Sequence, residues 1–229
     1  MTPRLLLSAV LWLPALVGAA DSQCYGTVSR GRIENSVKLP LRGDNFTAYS
    51  MLAATAGRTH VHRKVASIVE ASYQALLQAQ PDTRFVYGET GWAAGGRFRP
   101  HKTHQNGLSV DFFVPVRDRE GRSVPLPTDL TDKLGYDLEF DAQARYGDYA
   151  IDFEALAEHL YQLDRAARAA GTRLSLVIFD PRYLPKLFAT PRGPQLKATL
   201  PFMKGQPWVR HDEHYHVDFA IPCKALKAG

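Results

Sequence analysis

The sequence has little cysteine, with Cys24 and Cys223 as its two cysteines in 229 residues. Two cysteines cannot build a disulfide-rich small scaffold or a four-cysteine metal site. An even pair in an exported chain is typical of a disulfide, so we expect one bond between them. Two unrelated thiols are the alternative. In the chain-entropy model, closing a loop of about 200 residues stabilises the fold by roughly 5 kcal/mol.

Long hydrophobic runs are lacking after the first twenty residues. That N-terminal segment carries Arg4, a short apolar stretch and small residues ending at Ala20. The apolar stretch is too short to span a bilayer comfortably, which takes roughly 20 residues. We therefore expect residues 1–20 to be a signal peptide and residues 21–229 to be one exported domain without stable membrane insertion. A retained membrane anchor is the alternative.

A strong excess of one charge is lacking as well. The net charge is +5, and it becomes +4 (27 basic against 23 acidic residues) when Arg4 leaves with the signal peptide. The basic residues are spread along the chain, so we expect no nucleic-acid partner, although weak attraction to an anionic cell-wall polymer fits.

A G-x-S-x-G motif is absent too, and neither cysteine has the surroundings of an activated nucleophile, which disfavours covalent catalysis.

Helical and strand patterns alternate without a regular βαβ order. Apolar spacing and caps predict helices over residues 45–56, 63–80, 152–170 and 183–188. Apolar, β-branched and aromatic runs predict strands over residues 83–88, 108–116, 136–140, 174–179 and 214–221. Residues 26–43 are expected to be irregular, and residues 91–100 form a Gly-rich loop. This mixture predicts an α+β single domain with a mostly antiparallel sheet flanked by helices.

Histidines are the feature that points to chemistry. Five of the eight lie in two clusters: His101 and His104, then His211, His214 and His216. Asp111 follows His104 inside a predicted strand, and His214 and His216 share one face of another. If these strands are neighbours, an imidazole–carboxylate set converges on one sheet face, as in zinc sites that activate water. The alternative for each residue is an ordinary surface or core histidine.

The spacing of these motifs resembles a known family. H-x6-D followed by H-x-H is the pattern of lysostaphin-type enzymes, D-Ala-D-Ala carboxypeptidases and the hedgehog domain. The closer resemblance is to the penicillin-insensitive murein endopeptidases. It rests on Ala94-Gly95-Gly96-Arg97-Phe98, on His101-x-x-His104-Gln105-x-Gly107-Leu108-x-Val110-Asp111, and on His211-x-x-His214-x-His216-Val217.

The resemblance implies a zinc hydrolase of the periplasm. It implies one Zn²⁺ per chain, held by His104, Asp111 and His216, with His101, His211 and His214 around the site as non-ligand histidines. The implied substrate is a peptide cross-link of peptidoglycan, of the D-alanyl–diamino acid type. A zinc-bearing binding module without catalysis and a D-Ala-D-Ala dipeptidase are the alternatives.

Roles for the remaining polar and aromatic residues follow as hypotheses. His214 is expected to be the general base or to stabilise the tetrahedral intermediate, with Glu213 as the rival base. Strand alternation predicts that Glu213 faces away from the site. His101 or His211 is expected to contact the oxyanion or protonate the leaving amine. Candidate substrate-binding residues are Arg97, Arg99, Trp92 and Tyr215.

Overall fold

Strands and helices are mixed throughout residues 20–226, the part of the chain that the computed structural model describes. The strands are β1 (Gln23–Thr27), β2 (Arg30–Glu34), β3 (Val37–Lys38), β4 (Phe46–Ala48), β5 (His60–Val61), β6 (Phe85–Tyr87), β7 (Ser109–Phe113), β8 (Val116–Arg117), β9 (Ser123–Val124), β10 (Arg145–Tyr146), β11 (Tyr149–Ile151), β12 (Leu174–Ile178) and β13 (His214–Phe219). The helices are α1 (Met51–Thr55), α2 (Arg63–Ala79), α3 (Phe153–Ala169), α4 (Leu184–Phe188) and α5 (Gly193–Thr199), with a 3-10 turn at Lys133–Gly135. The expected signal peptide lies outside the described residues except for Ala20.

The largest sheet has five strands in the order β12-β13-β7-β6-β4. Its neighbours are antiparallel except for the parallel pair β4 and β6. The two long helices α2 and α3 pack against each other. The expected α+β fold with a mostly antiparallel sheet is confirmed.

The two faces of this sheet carry different chemistry. Tyr215 of β13 is buried, stacks on Phe112 of β7 and hydrogen-bonds His159 of α3, so this face packs on the helices. Because side chains alternate along a strand, the neighbours His214 and His216 project from the opposite face. One strand therefore contributes both to the core and to a polar cluster.

The two long helices and three strands of the main sheet lie where the sequence pattern predicts them. Helices α2 and α3 match their predicted ranges closely, and Asp152 caps α3 by accepting a 3.0 Å hydrogen bond from the Ala155 N–H. Strands β7, β12 and β13 also lie within their predicted ranges. A long helix that buries one face repeats its apolar residues at a regular spacing, so its position can be predicted from the sequence.

Three local predictions are wrong. Residues 26–43, expected to be irregular, contain the hairpin strand β2 and the strand β3, and residues 45–56 contain β4 before α1. Ser50 explains the second difference, because its side chain caps α1 through the Ala53 N–H. Residues 136–140 form a loop instead of a strand, since the Phe140 N–H bonds the Asp212 carboxylate 2.8 Å away rather than a neighbouring strand.

A disulfide joins Cys24 on β1 to Cys223 after β13, as expected. The Lys224 N–H donates a 3.0 Å hydrogen bond to the Cys24 carbonyl, so the two ends of the described chain are also held by backbone contacts. Across residues 20–226, no helix combines the length and the apolar character needed to cross a membrane.

Candidate metal centre

The pairing of β7 with β13 brings the two histidine motifs together. In this antiparallel register Asp111 is directly opposite His216, and Ser109 is opposite Asp218. Residues directly opposite each other project from the same face of a sheet. The polar face therefore carries two consecutive cross-strand pairs that combine acidic, histidine and serine side chains.

Asp111 is the centre of the cluster and is fully buried. Its Oδ1 atom lies 2.8 Å from His216 Nδ1 and 3.2 Å from His104 Nε2. Its Oδ2 atom accepts a 3.1 Å hydrogen bond from the Tyr136 hydroxyl. Burial alone would raise the pKa of Asp111, but the surrounding histidines, His104 first, hold it well below its usual range. The carboxylate is therefore ionised, and its two oxygens face different partners.

His104 has a ring nitrogen free to bind a ligand. It lies in a loop in the left-handed backbone region, with φ of 67°, which a non-glycine residue adopts at some energetic cost. Its Nδ1–H donates to the Thr90 carbonyl at 3.2 Å, so the other nitrogen, Nε2, is unprotonated. His104 Nε2 is buried and has no hydrogen-bond partner among the described residues. A buried lone pair beside a carboxylate is suited to a cation.

His216 lies between two carboxylates. Its Nδ1 faces Asp111 Oδ1, and its Nε2 lies 2.8 Å from Asp218 Oδ1. Burial alone would lower the pKa of His216, but Asp218 and Asp111 outweigh it and raise that pKa to about 10. In the absence of a metal the ring therefore carries a proton on each nitrogen, and coordination would replace one of them.

His101 is fixed by a buried acidic network. Its Nε2 lies 2.6 Å from Glu89 Oε2, and its Nδ1 lies 3.6 Å from Asp111 Oδ2. Glu89 also accepts hydrogen bonds from the Arg58 guanidinium and from the Tyr49 hydroxyl. Burial alone would raise the pKa of Glu89, but the bonds from Arg58 and His101 lower it to about 2. The ionised Glu89 therefore accepts the Nε2–H of His101 and turns Nδ1 toward Asp111.

His211 and His214 are neutral imidazoles near the same carboxylate. Burial lowers the pKa of His211 to about 3 and that of His214 to about 4. The Nε2 atom of His214 lies 3.9 Å from Asp111 Oδ2, and its Nδ1 makes a 2.7 Å hydrogen bond with Glu213 Oε1. Glu213 precedes the first residue of β13 and turns toward His214, so the expectation that it faces away is wrong. Burial raises the pKa of Glu213 well above its usual range, so its carboxyl group is neutral.

An open groove of about 570 Å³ gives access to the cluster. Its lining combines the histidines with Lys102, Tyr136 and Trp208. Trp208 is 42% exposed and meets the His211 ring edge-on at 5.9 Å, which places an apolar surface beside the histidines. The groove therefore gives a ligand access to His101, His211, His214 and His216.

The expected substrate-binding residues are distributed differently. Tyr215 is fully buried on the helix-facing side of the sheet, so it does not line the groove as the sequence predicted. Arg97 and Arg99 are exposed on the loop that leads to His101, outside the groove lining. Trp92 is half-buried and packs edge-on against Phe98 at 5.2 Å.

Three residues outside the predicted set support the cluster: Glu89, Tyr136 and Asp218. Asp218 continues the same-face alternation of His214 and His216, a signal that was present in the sequence. Glu89 follows Gly88, where an added Cβ would lie 2.5 Å from the Tyr136 hydroxyl. A glycine directly before a buried acid is a weaker signal, because it indicates close packing without naming the partner.

The arrangement of donors fits a metal ion. One ligand atom from each of His101, His104 and Asp111 lies within 4.8 Å of the others, and His216 adjoins this group through Asp111. Imidazole nitrogens with a carboxylate oxygen are typical donors for zinc and related divalent metals. A cluster of this kind at the base of an open groove defines a candidate metal-dependent hydrolase.

Comparison with known proteins identifies the family. A family model described as penicillin-insensitive murein endopeptidase matches residues 24–145, more than half of the chain. The chain belongs to this family, as the motifs indicated. The matched range includes His101, His104 and Asp111, whereas the histidines of β13 lie outside it. No curated protein sequence matches the chain.

Glu89 should contribute stability that acid removes. The unfolded chain takes up a proton on Glu89 near its ordinary pKa of 4.5, but the folded protein holds that pKa at about 2. Its contribution is therefore complete above the unfolded pKa and is lost as the pH falls toward the folded one. In Glu89→Gln we expect the free energy of unfolding to fall less steeply across this window, by about 1.4 kcal/mol per pH unit. Urea unfolding at a series of acidic pH values measures the two slopes, and parallel curves would contradict the expectation.

Proposed function

We propose that this protein hydrolyses peptide cross-links of peptidoglycan with water activated at a zinc ion held by His104, Asp111 and His216. Membership of the murein endopeptidase family supports the substrate class. The observation that carries the proposal is that His104 Nε2 and His216 Nδ1 approach the same oxygen, Asp111 Oδ1. The bond that is cleaved is proposed to be of the D-alanyl–diamino acid type.

The two oxygens of Asp111 favour this ligand set over one containing His101. The atoms closest to Oδ1 are the two proposed histidine nitrogens, at 3.2 and 2.8 Å. His101 Nδ1 instead faces Oδ2 at 3.6 Å, where Tyr136 already donates a hydrogen bond. His101 is therefore assigned to the substrate side of the centre. Two histidines and one carboxylate leave an open position, as catalytic zinc sites do.

His214 is the proposed general base. When bound, zinc supplies Lewis-acid activation of water and polarises the scissile carbonyl. His214 is unprotonated at neutral pH because burial lowers its pKa to about 4, so its ring can accept the proton of the attacking water. The hydrogen bond of its Nδ1 to Glu213 fixes the ring orientation and leaves Nε2 on the side of Asp111.

His101 and His211 are proposed to act on the substrate carbonyl and the leaving amine. Both line the groove beside His214. The Nδ1–H of His211 donates to the Val209 carbonyl at 2.9 Å, so its Nε2 has a free lone pair that can accept a hydrogen bond from the leaving nitrogen. The proton that the leaving nitrogen gains is the one that His214 takes from the attacking water. His101 is oriented by Glu89 and can contact the developing oxyanion.

The groove supports an extended peptide substrate. Trp208 offers an exposed apolar surface next to His211, and Lys102 lies with its ammonium 5.3 Å from the Trp208 ring. Arg97, Arg99 and Trp92 remain proposed contacts for outer parts of the substrate, because they belong to the segment that precedes His101 in the chain. Such a rim can meet the carboxylates of the peptide stems.

Export to the periplasm is part of the proposal. Peptidoglycan lies outside the cytoplasm, and the Cys24–Cys223 disulfide requires an oxidising compartment to persist. Residues 1–20 are proposed to be the cleaved signal peptide.

Purified protein should convert cross-linked muropeptides into monomers. A chelator should abolish the conversion, and added zinc should restore it, because the proposed reaction requires the metal. Chromatography of the digest measures both effects, with free D-Ala-D-Ala as a parallel substrate.

An unchanged chromatogram from protein with one metal per chain would contradict the proposal and favour a binding module. Cleavage of the free dipeptide alone would favour the dipeptidase alternative.

Removing a proposed ligand should remove the metal. Alanine at His104, Asp111 or His216 should lower bound zinc from about one per chain to near zero, since two remaining donors hold zinc weakly. His101→Ala should retain the metal. His60→Ala is a matched control, because His60 lies on β5 and its ring contacts the Gly57 carbonyl. Metal analysis after dialysis checks these outcomes, and loss of zinc from His101→Ala with retention in His216→Ala would assign the other ligand set.

His214 should matter for turnover rather than for metal content. His214→Ala should lower kcat by about 10²–10⁴-fold with zinc retained, because the base is lost. Glu213→Gln should have a smaller effect, since Glu213 acts through His214. Steady-state assays on a purified muropeptide dimer measure both. Near-normal turnover in His214→Ala together with an inactive Glu213→Gln would assign the base to Glu213.

A further inference from the structure

Asp218 lies behind the proposed ligand His216 on the same strand face. Its Oδ1 atom lies 2.8 Å from His216 Nε2, on the side of the ring opposite to Asp111. The same Oδ1 atom accepts a 2.5 Å hydrogen bond from the Ser109 hydroxyl. Asp218 is 4% exposed, so these contacts are shielded from water.

The sheet register sets this arrangement. Ser109 is directly opposite Asp218, one same-face position along from the Asp111–His216 pair. Ser109 therefore approaches Asp218 Oδ1 from the neighbouring strand β7, and His216 approaches it from β13, the strand that carries Asp218. Because both are held by regular strand backbone, the position of the carboxylate is fixed closely.

The charge of Asp218 has few other partners. Within residues 20–226, His216 is the one basic side chain that forms an ion pair with it, and no lysine or arginine does so. A buried carboxylate is costly to retain without a cation, and the His216 ring, which carries a proton on each nitrogen when no metal is bound, is the cation that offsets this cost. Together with Asp111, however, Asp218 supplies two negative charges, which balance a divalent ion held by neutral histidines. Asp218 can therefore balance charge in both states, against the protonated His216 ring without metal and as part of the metal centre when the ion is bound.

We infer that Asp218, held by Ser109, is a positioning residue that keeps the proton of His216 on Nε2 and directs Nδ1 to the metal. The inference rests on the proposed function in that His216 is taken as a ligand. A neutral imidazole binds a metal through one nitrogen and keeps a proton on the other. An acceptor at Nε2 selects the tautomer and increases the donor strength of Nδ1.

The test is zinc affinity, measured by competition with a chromophoric chelator, with Zn²⁺ alone as the probe. Asp218→Ala should weaken zinc binding by about 10–100-fold. Asp218→Asn should weaken it less, because the amide oxygen still accepts a hydrogen bond, and Ser109→Ala should shift affinity by a smaller factor in the same direction. Asp164→Ala is the matched control: Asp164 is 8% exposed and pairs with Arg168 on α3, away from the site.

A second readout separates positioning from general stability. In zinc-loaded wild type, nitrogen NMR of the histidine rings should show His216 protonated at Nε2, and Asp218→Asn should perturb that signal. Wild-type zinc affinity and an unchanged His216 signal in both Asp218→Asn and Ser109→Ala would overturn the inference, even if Asp218→Ala fails to fold. His216→Ala in the same series separates the two ideas. If it binds zinc normally, the proposed ligand set fails; if it loses zinc while the Asp218 variants do not, the positioning role alone fails.

Discussion

The site depends on one constraint, the register between β7 and β13. This pairing sets Asp111 against His216 and fixes which side chains share its face. A slip by one residue would turn Asp111 toward the helices and bring Phe112 to the groove, because side chains alternate along a strand. The register is protected from the other face, where Phe112 and Tyr215 stack and Tyr215 bonds His159. Core packing and site assembly are thus two consequences of the same strand pairing.

Burial and charged neighbours together set the protonation states of these groups before any ligand arrives. His211 and His214 are neutral because burial lowers their pKa values to about 3 and 4. Glu89 stays ionised, although burial opposes this, because Arg58 and His101 bond its two oxygens. A centre that activates water for hydrolysis needs unprotonated imidazoles as proton acceptors and ionised carboxylates as ligands. The scaffold provides both, except that His216 must release a proton when it binds the metal.

Much of the site was predictable because its spacing follows backbone periods. His214 and His216 are two residues apart on a strand, so they had to share a face, and the same period should have excluded Tyr215 and included Asp218. The convergence of the two motifs needed the assumption that their strands are neighbours. Glu89 and Tyr136 could not be predicted, since the hydrogen bond between them joins two loop residues 47 positions apart. Residues 136–140 alternate like a strand, but contacts with Asp212 and Asp111 decide their conformation.

The two carboxylate oxygens of Asp111 have different partners, and this difference connects the observations above. Oδ1 faces His104 and His216, whose far nitrogens are held by the Thr90 carbonyl and by Asp218. Oδ2 faces Tyr136, whose hydroxyl accepts a 2.8 Å hydrogen bond from the Glu89 N–H and must therefore donate to Asp111. Each candidate ligand thus has its non-ligating side occupied by a partner from the fold. Because the other polar atoms of these ligands are already hydrogen-bonded, their free lone pairs point in one direction. This arrangement favours tight binding of one small cation.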